Sequence, residues 1–274
     1  MLFTVQIYRR EGRKANEGQF ASREGGGYIS LSSSFHSPEN SMNFTGRTVI
    51  VTGGTGALGN ALTKRFAELG AHVAIPSRSI HSDDHNPQRS GEGAKPMVMK
   101  ADMRNQNDAA AFVREVAQKF GSVDVLVNAA GGYSGGKRTE EMTASDVMDM
   151  LHLNTISAFN ACSSVIPFMK QASYGRIVSV AALTAIHPQS GAGAYAMSKR
   201  ALITLTETIA VENRRTGITA NAVAPAVIDT EANRRAMPGA DYSKWVTAQQ
   251  VTDVILFLAS ESSSAISGNV IMMP

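Results

Sequence analysis

The sequence predicts an α/β protein built on a single doubly wound parallel sheet, with helices on both faces. Three observations carry that expectation. Short β-branched or apolar runs alternate with longer helical patterns from Thr48 onward, as in parallel strands joined by right-handed crossovers. The strand segments are mostly apolar, as strands covered on both faces should be. A glycine triplet, Gly53, Gly56 and Gly59, falls between the first strand and the first helix, where such a sheet needs a tight turn.

Taken in order, "TVIVTG" (48–53) reads as a buried strand ending in glycine, and "NALTKRFAELG" (60–70) as a helix stopped by Gly70. "HVAIPS" (72–77) is the second strand and the segment 97–103 a third. "QNDAAAFVREVAQKFG" (106–121) is a helix closed by Gly121, followed by "VDVLVNAAG" (123–131). One long helical pattern, "SDVMDMLHLNTISAFNACSSVIPFM", covers 145–169 and precedes the strand "GRIVSVAA" (175–182). A helix from about Tyr195 to Asn213 leads to "ITANAVAP" (218–225), then to the helix "AQQVTDVILFLAS" (248–260) and the short strand "NVIMM" (269–273). No repeat or second composition regime divides 43–274, which reads as one domain.

Composition excludes several classes. With 43% hydrophobic and 18% charged residues and a net charge of +3, nucleic acid is not an expected partner, and no apolar run reaches the roughly 18–20 residues that span a bilayer. A single cysteine, Cys162 in an apolar helical pattern, excludes an intrachain disulfide framework and a cysteine metal cluster, and points to a reducing, cytoplasmic compartment. Residues 1–42 read as a disordered extension: "RREGRKANEGQFASREGGGYISLSSSF" is rich in Arg, Gly and Ser and lacks periodicity, so it cannot build a core. Met42 is an alternative natural start. No secretory apolar region appears, and Glu11, Glu17 and Glu24 interrupt the basic residues of any presequence.

In "TVIVTGGTGALG" the missing β-carbons allow the turn and let a pyrophosphate approach backbone amides at a helix N-terminus. The second strand ends in Ser77-Arg78, where a carboxylate would bind ribose hydroxyls. Arg78 suits a 2′-phosphate instead, which favours NADP (NADPH) over NAD. Tyr195 and Lys199 share one helix face at i, i+4 spacing, placing a phenol beside a cation.

These pieces, "TGGTGALG", "ADM" at 101, "NAAG" at 128, Asn154, "YAMSK" at 195 and "NAVAPAVIDT" at 221, resemble the short-chain dehydrogenase/reductase family over nearly all of 44–273. The resemblance implies an NAD(P)-dependent oxidoreductase on a Rossmann-type sheet, acting on a small-molecule substrate as a homodimer or homotetramer. It implies cofactor contacts at Gly53, Thr55, Gly56, Leu58, Gly59, Ser77, Arg78, Asp102, Met103, Asn128, Ala129, Ala130, Gly131, Ile228 and Thr230. Tyr195 would be the proton donor, its pKa lowered by Lys199 and the nicotinamide charge; Lys199 would also hold the nicotinamide ribose, and Asn154 a water. Ala57 stands where the shorter branch of the family has glycine, and Ala182 aligns with its active-site serine. "AGGYSGG" (130–136) and "DTEANRRAMPGADYSKW" (229–245) further resemble dihydropteridine reductase-like members, which also lack the serine.

Losing one oxyanion donor costs about 10²–10³ in rate, roughly 3–4 kcal/mol. Ser179 lies three strand residues back, about 10 Å at ~3.3 Å each, too far to replace it. Thr184, just past the strand, is one remedy. The other is a small, planar, electron-poor substrate (quinonoid, imine or carbonyl) that needs little stabilisation of an alkoxide. An NADPH-binding regulator with little turnover, or an ordinary alcohol dehydrogenase using Thr184, are the alternatives. Tyr133 on the glycine-rich loop would stack on a flat ring or simply anchor its loop, which reads as a mobile flap; 229–245 reads as a second lid or as a structural crossover without substrate contact. His152, His187, Lys137 and Arg138 have no metal-ligand spacing, and no metal is expected.

Overall fold

The structure is a computed structural model that describes residues 42–79 and 95–274. The extension expected over 1–42 lies, apart from Met42, outside the described residues. The strands are β1 (Thr48–Thr52), β2 (His72–Ser77), β3 (Met97–Lys100), β4 (Val125–Asn128), β5 (Gly175–Val180), β6 (Ile218–Pro225), β7 (Ile228–Asp229), β8 (Val246–Thr247) and β9 (Val270–Met273). The helices are α1 (Ala57–Glu68), α2 (Gln106–Phe120), α3 (Ala144–Leu151), α4 (Ser157–Ala172), α5 (Gly193–Glu212), α6 (Glu231–Ala236) and α7 (Ala248–Ala259).

Seven strands form one parallel sheet in the order β3-β2-β1-β4-β5-β6-β9. The expected doubly wound architecture is therefore what the chain adopts. Strand residues alternate between two cores. Val49, Val51, Val125, Val127, Val178 and Val223 pack with α1 and α7. Ile50, Leu126, Ile177 and Ala220 pack with α2, α4 and α5. Phe66 on α1 and Phe112 on α2 are among the largest fully buried side chains, and truncating either to alanine costs about 3–5 kcal/mol.

Helix ends follow the sequence signals. Asn105 caps α2 by accepting from the amides of Asn107 (2.8 Å) and Asp108 (3.2 Å), and Gly121 ends it in the left-handed conformation at φ 84°. The long helix expected over 145–169 is instead α3 and α4 joined by a π turn at His152–Ile156. The sequence period could not reveal that extra residue per turn.

The amino rim of the sheet is tied by two arginines. Arg47 bonds Asp124 at 3.1 Å and Glu261 at 2.8 Å. Buried Arg176 donates to the Gly217 carbonyl at 3.0 Å and the Ser260 carbonyl at 3.3 Å, and reaches Glu261 at 3.3 Å. Both guanidinium groups lie against the Tyr174 ring, 4.0 and 4.4 Å from its centroid. At the carboxyl rim Thr52, Asn128 and Ser179 stand in register, so β1 and β4 finish level and β5 runs one residue further. The strand order reverses between β1 and β4, which opens a crevice there.

Candidate active site

The crevice begins at the glycine turn. Gly53 has φ +68°, and a β-carbon on it would lie 2.8 Å from the Ala130 backbone; glycine lets β1 and β4 end side by side. A β-carbon on Gly59 would lie 2.0 Å from the Gly53 carbonyl oxygen, so Gly59 closes the first turn of α1 against the loop. Gly56 caps α1 with no side chain on the helix amides and no acid in the first turn, leaving the positive end of the dipole open to an anion. A pyrophosphate fits this cradle.

A cleft of about 320 Å³ runs from that turn, lined by Gly53, Thr55, Gly56, Ser77, Arg78, Asp102, Met103, Ala129, Ala130 and Gly131 among others. The structure thus gathers ten of the expected cofactor residues. Five others stand back from it. Asn128 is buried under the floor, its amide donating to Cys162 Sγ (3.3 Å) and Ser179 Oγ (3.5 Å). Leu58 packs on the core and Gly59 supports the turn. Ile228 packs against the same core, and Thr230 caps α6 by accepting from the Asn233 amide at 3.2 Å.

At the end of the cleft beside β2 and β3, Ser77 Oγ donates to the Ser79 carbonyl at 2.6 Å. Asp102 is gripped by Arg104, whose Nη2 lies 2.6 Å and Nε 3.0 Å from its carboxylate oxygens. That hydrogen bond, with the charge of Arg78 as a smaller contribution, holds the Asp102 carboxyl below its usual range. Arg104, Pro76, Ser79, Ala101, Leu153 and Ser157 also line the cleft and were not anticipated. Arg104 had a signal in the sequence: a basic residue two positions after the acid that opens a turn.

At Gly131, which lines the cleft, Asn154 and Lys199 meet, with Tyr195 one helical turn before the lysine on α5. A β-carbon there would lie 2.6 Å from Asn154 Oδ1 and 3.1 Å from Lys199 Nζ. Asn154, wholly buried in the π turn, accepts from the Gly132 amide (3.0 Å) and donates to the Gly132 carbonyl (3.1 Å) and Ser198 Oγ (3.0 Å). Ser198 Oγ donates in turn to the Tyr195 carbonyl at 2.8 Å. Lys199 Nζ donates to the Val180 carbonyl at 2.7 Å, and burial pushes its ammonium down to about 8.

Tyr195 is pushed up to about 12, first by burial and then by Tyr133, with no lowering by Lys199; the expected lowering also involves the nicotinamide charge. The lysine is itself easily neutralised and directs its proton to a backbone carbonyl. The Tyr133 ring stands edge-on to Tyr195, centroids 5.0 Å apart, while remaining 66% exposed. Its loop is held at Gly132 by Asn154, at Gly136 by an amide bond to the Gly191 carbonyl (2.8 Å), and at Lys137 by Asp146 (2.8 Å). Only a short span around Tyr133 lies between those holds, so the expected flap is confined to it.

Ala182 is buried in extended backbone before the turn Leu183–Ala185. Ser179 faces the core, accepting from Thr206 Oγ1 at 3.0 Å, so its hydroxyl is engaged elsewhere. Thr184 is half-buried in the turn, and its hydroxyl makes no hydrogen bond among the described residues. The 229–245 segment folds on itself: Arg234 pairs with Asp229 (2.7 Å) and covers the Tyr242 ring, which packs on Trp245 at 4.7 Å. Burial pushes the Cys162 thiol up to about 12, as befits a packing residue. Among the described residues no group of three His, Cys, Asp or Glu could hold a metal, and no helix is long and apolar enough to cross a membrane.

Comparison with known proteins agrees with this geometry. The family model described as short chain dehydrogenase matches residues 47–240. The 3-oxoacyl-(acyl-carrier-protein) reductase of Thermotoga maritima is 32% identical over 84% of this chain and 97% of its own. The 3beta-hydroxysteroid dehydrogenase of Mediterraneibacter gnavus is 30% identical over 83% of this chain and 93% of its own. Among solved structures, ElxO with NADP bound superposes with a TM-score of 0.78 at 26% identity, covering 83% of this chain and 96% of that one. A nucleotide cradle at the strand-order reversal, a buried Asn and Lys with a half-buried Tyr beside it, and a family match over most of the sheet lead to one conclusion: the chain belongs to the short-chain dehydrogenase family and is an NAD(P)-dependent oxidoreductase.

Proposed function

We propose that the protein is an NADPH-dependent reductase of small, planar, electron-poor compounds (quinonoid, imine or carbonyl), with Tyr195 as proton donor and Lys199 as its partner. The carrying observation is a protonated phenol, pushed up to about 12, without a protein hydrogen bond among the described residues and with Ala182 in place of a hydroxyl. When bound, the nicotinamide supplies the hydride. Tyr195 Oη gives its proton to the substrate atom that gains charge. Lys199, next to the cleft, draws replacement protons and holds the nicotinamide ribose. Asn154 positions the Gly132 backbone and, through Ser198, the start of the helical turn that carries Tyr195.

Arg78 supports the choice of NADPH: it lines the end of the cleft beside β2 and β3 and has no ion-pair partner among the described residues. An acceptor that becomes aromatic or neutral on reduction needs no second donor, which is how Ala182 is accommodated. The sequence likeness to dihydropteridine reductase-like members favours quinonoid substrates. Tyr133, at the mouth, would close over a flat ring. Exposed Met148, Ile156, Phe159 and Met197 on α3–α5 and their π turn favour a homodimer or homotetramer through that face, and the single cysteine a cytoplasmic location.

Nucleotide oxidation is to be followed with quinonoid dihydropteridine, quinones and simple ketones. Ketones turning over faster than every quinonoid or imine acceptor would overturn the substrate assignment, and a fully active Tyr195→Phe protein would remove the proton donor. A second reading, an ordinary ketone reductase, rests on the free hydroxyl of Thr184 and on relatives named for 3-oxoacyl and hydroxysteroid compounds. On that reading Thr184→Val lowers ketone turnover by about 10²–10³; on the first it changes little.

A further inference from the structure

Two guanidinium groups stand at the end of the cleft beside β2 and β3, and the sequence reading singled out only one. Arg78 follows β2; Arg104 lies in the turn between β3 and α2, and both line the cleft with Ser77, Ser79 and Asp102. Arg104 is fixed by its own turn. Asp102 Oδ1 accepts from the Arg104 amide and Nε, both at 3.0 Å, and Oδ2 accepts from Nη2 at 2.6 Å.

That grip uses one edge of the fork. Of the five N–H donors of a guanidinium, Asp102 takes the one on Nε and one on Nη2. Both donors of Nη1 and the second on Nη2 make no hydrogen bond among the described residues. A guanidinium held in advance loses less freedom when it takes a second anion. Arg78 and Arg104 both act on Asp102, so two cations face one corner; Asp108, whose carboxylate accepts from the Asp102 amide at 3.2 Å, is the second acid there.

We propose that Arg104 is the second guanidinium of a 2′-phosphate pocket, its free edge binding the phosphate with Arg78 while Asp102 holds the opposite edge. Asp102 is then a positioning residue for Arg104. The inference deepens the NADPH reading and rests on it. It also accounts for a cation so close to an acid in a site meant for a dianion: the carboxylate is already neutralised by the arginine it orients.

The test is calorimetric titration of the full chain, with no turnover involved. Titrants are NADPH, NADH, adenosine 2′,5′-bisphosphate and AMP. Proteins are the parent, Arg78→Gln, Arg104→Gln and Arg104→Lys. Removing the fork in Arg104→Gln should weaken NADPH and the bisphosphate about tenfold or more and leave NADH and AMP within about twofold. Arg104→Lys, which keeps the charge but not the fork, should fall between and serves if the glutamine protein does not fold. Equal weakening of phosphorylated and unphosphorylated nucleotides, or no weakening of either, would reduce Arg104 to a staple of its turn and overturn the proposal. The parent's NADPH preference and its loss in Arg78→Gln would survive that result. A parent that binds NADH as tightly as NADPH overturns both.

Discussion

Gly131→Ala tests whether Asn154 and Lys199, two of the three proposed catalytic residues, are packed as tightly as the geometry implies. Gly131 is not in the left-handed region, so the perturbation is purely one of space. The new β-carbon would lie 2.6 Å from Asn154 Oδ1, against the 3.4 Å at which ordinary contact begins. Asn154 has to retreat by about 0.8 Å, stretching bonds of 3.0–3.1 Å beyond useful range. Three bonds at about 1 kcal/mol each give a loss of about 3 kcal/mol, or roughly 6–12 °C in melting temperature at ~2–4 °C per kcal/mol. Lys199 Nζ, 3.1 Å from the same carbon, is displaced too, and a misplacement of about 1 Å costs about 10² in rate. Differential scanning calorimetry and steady-state turnover read both effects. Gly239→Ala is the control, because nothing lies within 4 Å of its added carbon. A Gly131→Ala protein that melts with the parent and keeps its turnover would refute the reasoning.

Other expectations follow from the same contacts. Lys199→Met should stabilise the protein at neutral pH while removing activity. The ammonium drops from 10.5 to about 8 on folding, so the unfolded chain holds one more proton between those values and stability rises with pH across them. Below pH 8 the penalty is full, about 3 kcal/mol; less about 1 kcal/mol for the bond to Val180, the variant gains roughly 2 kcal/mol at pH 7. The gap should close on approaching pH 10.5, and denaturant melts with an equal gap at pH 7 and pH 10 would contradict this. Gly59→Ala drives a carbon to 2.0 Å from the Gly53 carbonyl oxygen, which opens the nucleotide turn. Fluorescence titration should find NADPH binding about 10²-fold weaker or worse, and unaltered binding would separate that glycine from the cradle.

Much of this was legible in the chain. Strand–helix alternation and the glycines at 53, 56 and 59 signal the sheet and its turn because each depends on local periodicity or a missing β-carbon. The i, i+4 pair of Tyr195 and Lys199 likewise lies on α5 as expected. Three things were not legible. The π turn around Asn154 exists because that side chain is held from outside its own helix, by Gly132 and Ser198, and no local pattern encodes it. Asn128 has the right sequence position but sinks beneath the cleft, since strand alternation turns it toward Cys162 and Ser179. The phenol's titration depends first on burial and then on Tyr133, 62 positions away in sequence, and neither is encoded locally.

The arginine tie at the amino rim bears on how the two ends of the sheet evolve. Arg47, Arg176, Asp124 and Glu261 tie β5 to the chain just before β1, β4 and β6 and to the turn after α7, at the rim opposite the cleft. Because that end is anchored, the loops at the opposite end can exchange residues without loosening the strands beneath. Damage to the anchor should therefore surface as heat sensitivity, and changes at the mouth as altered substrate choice.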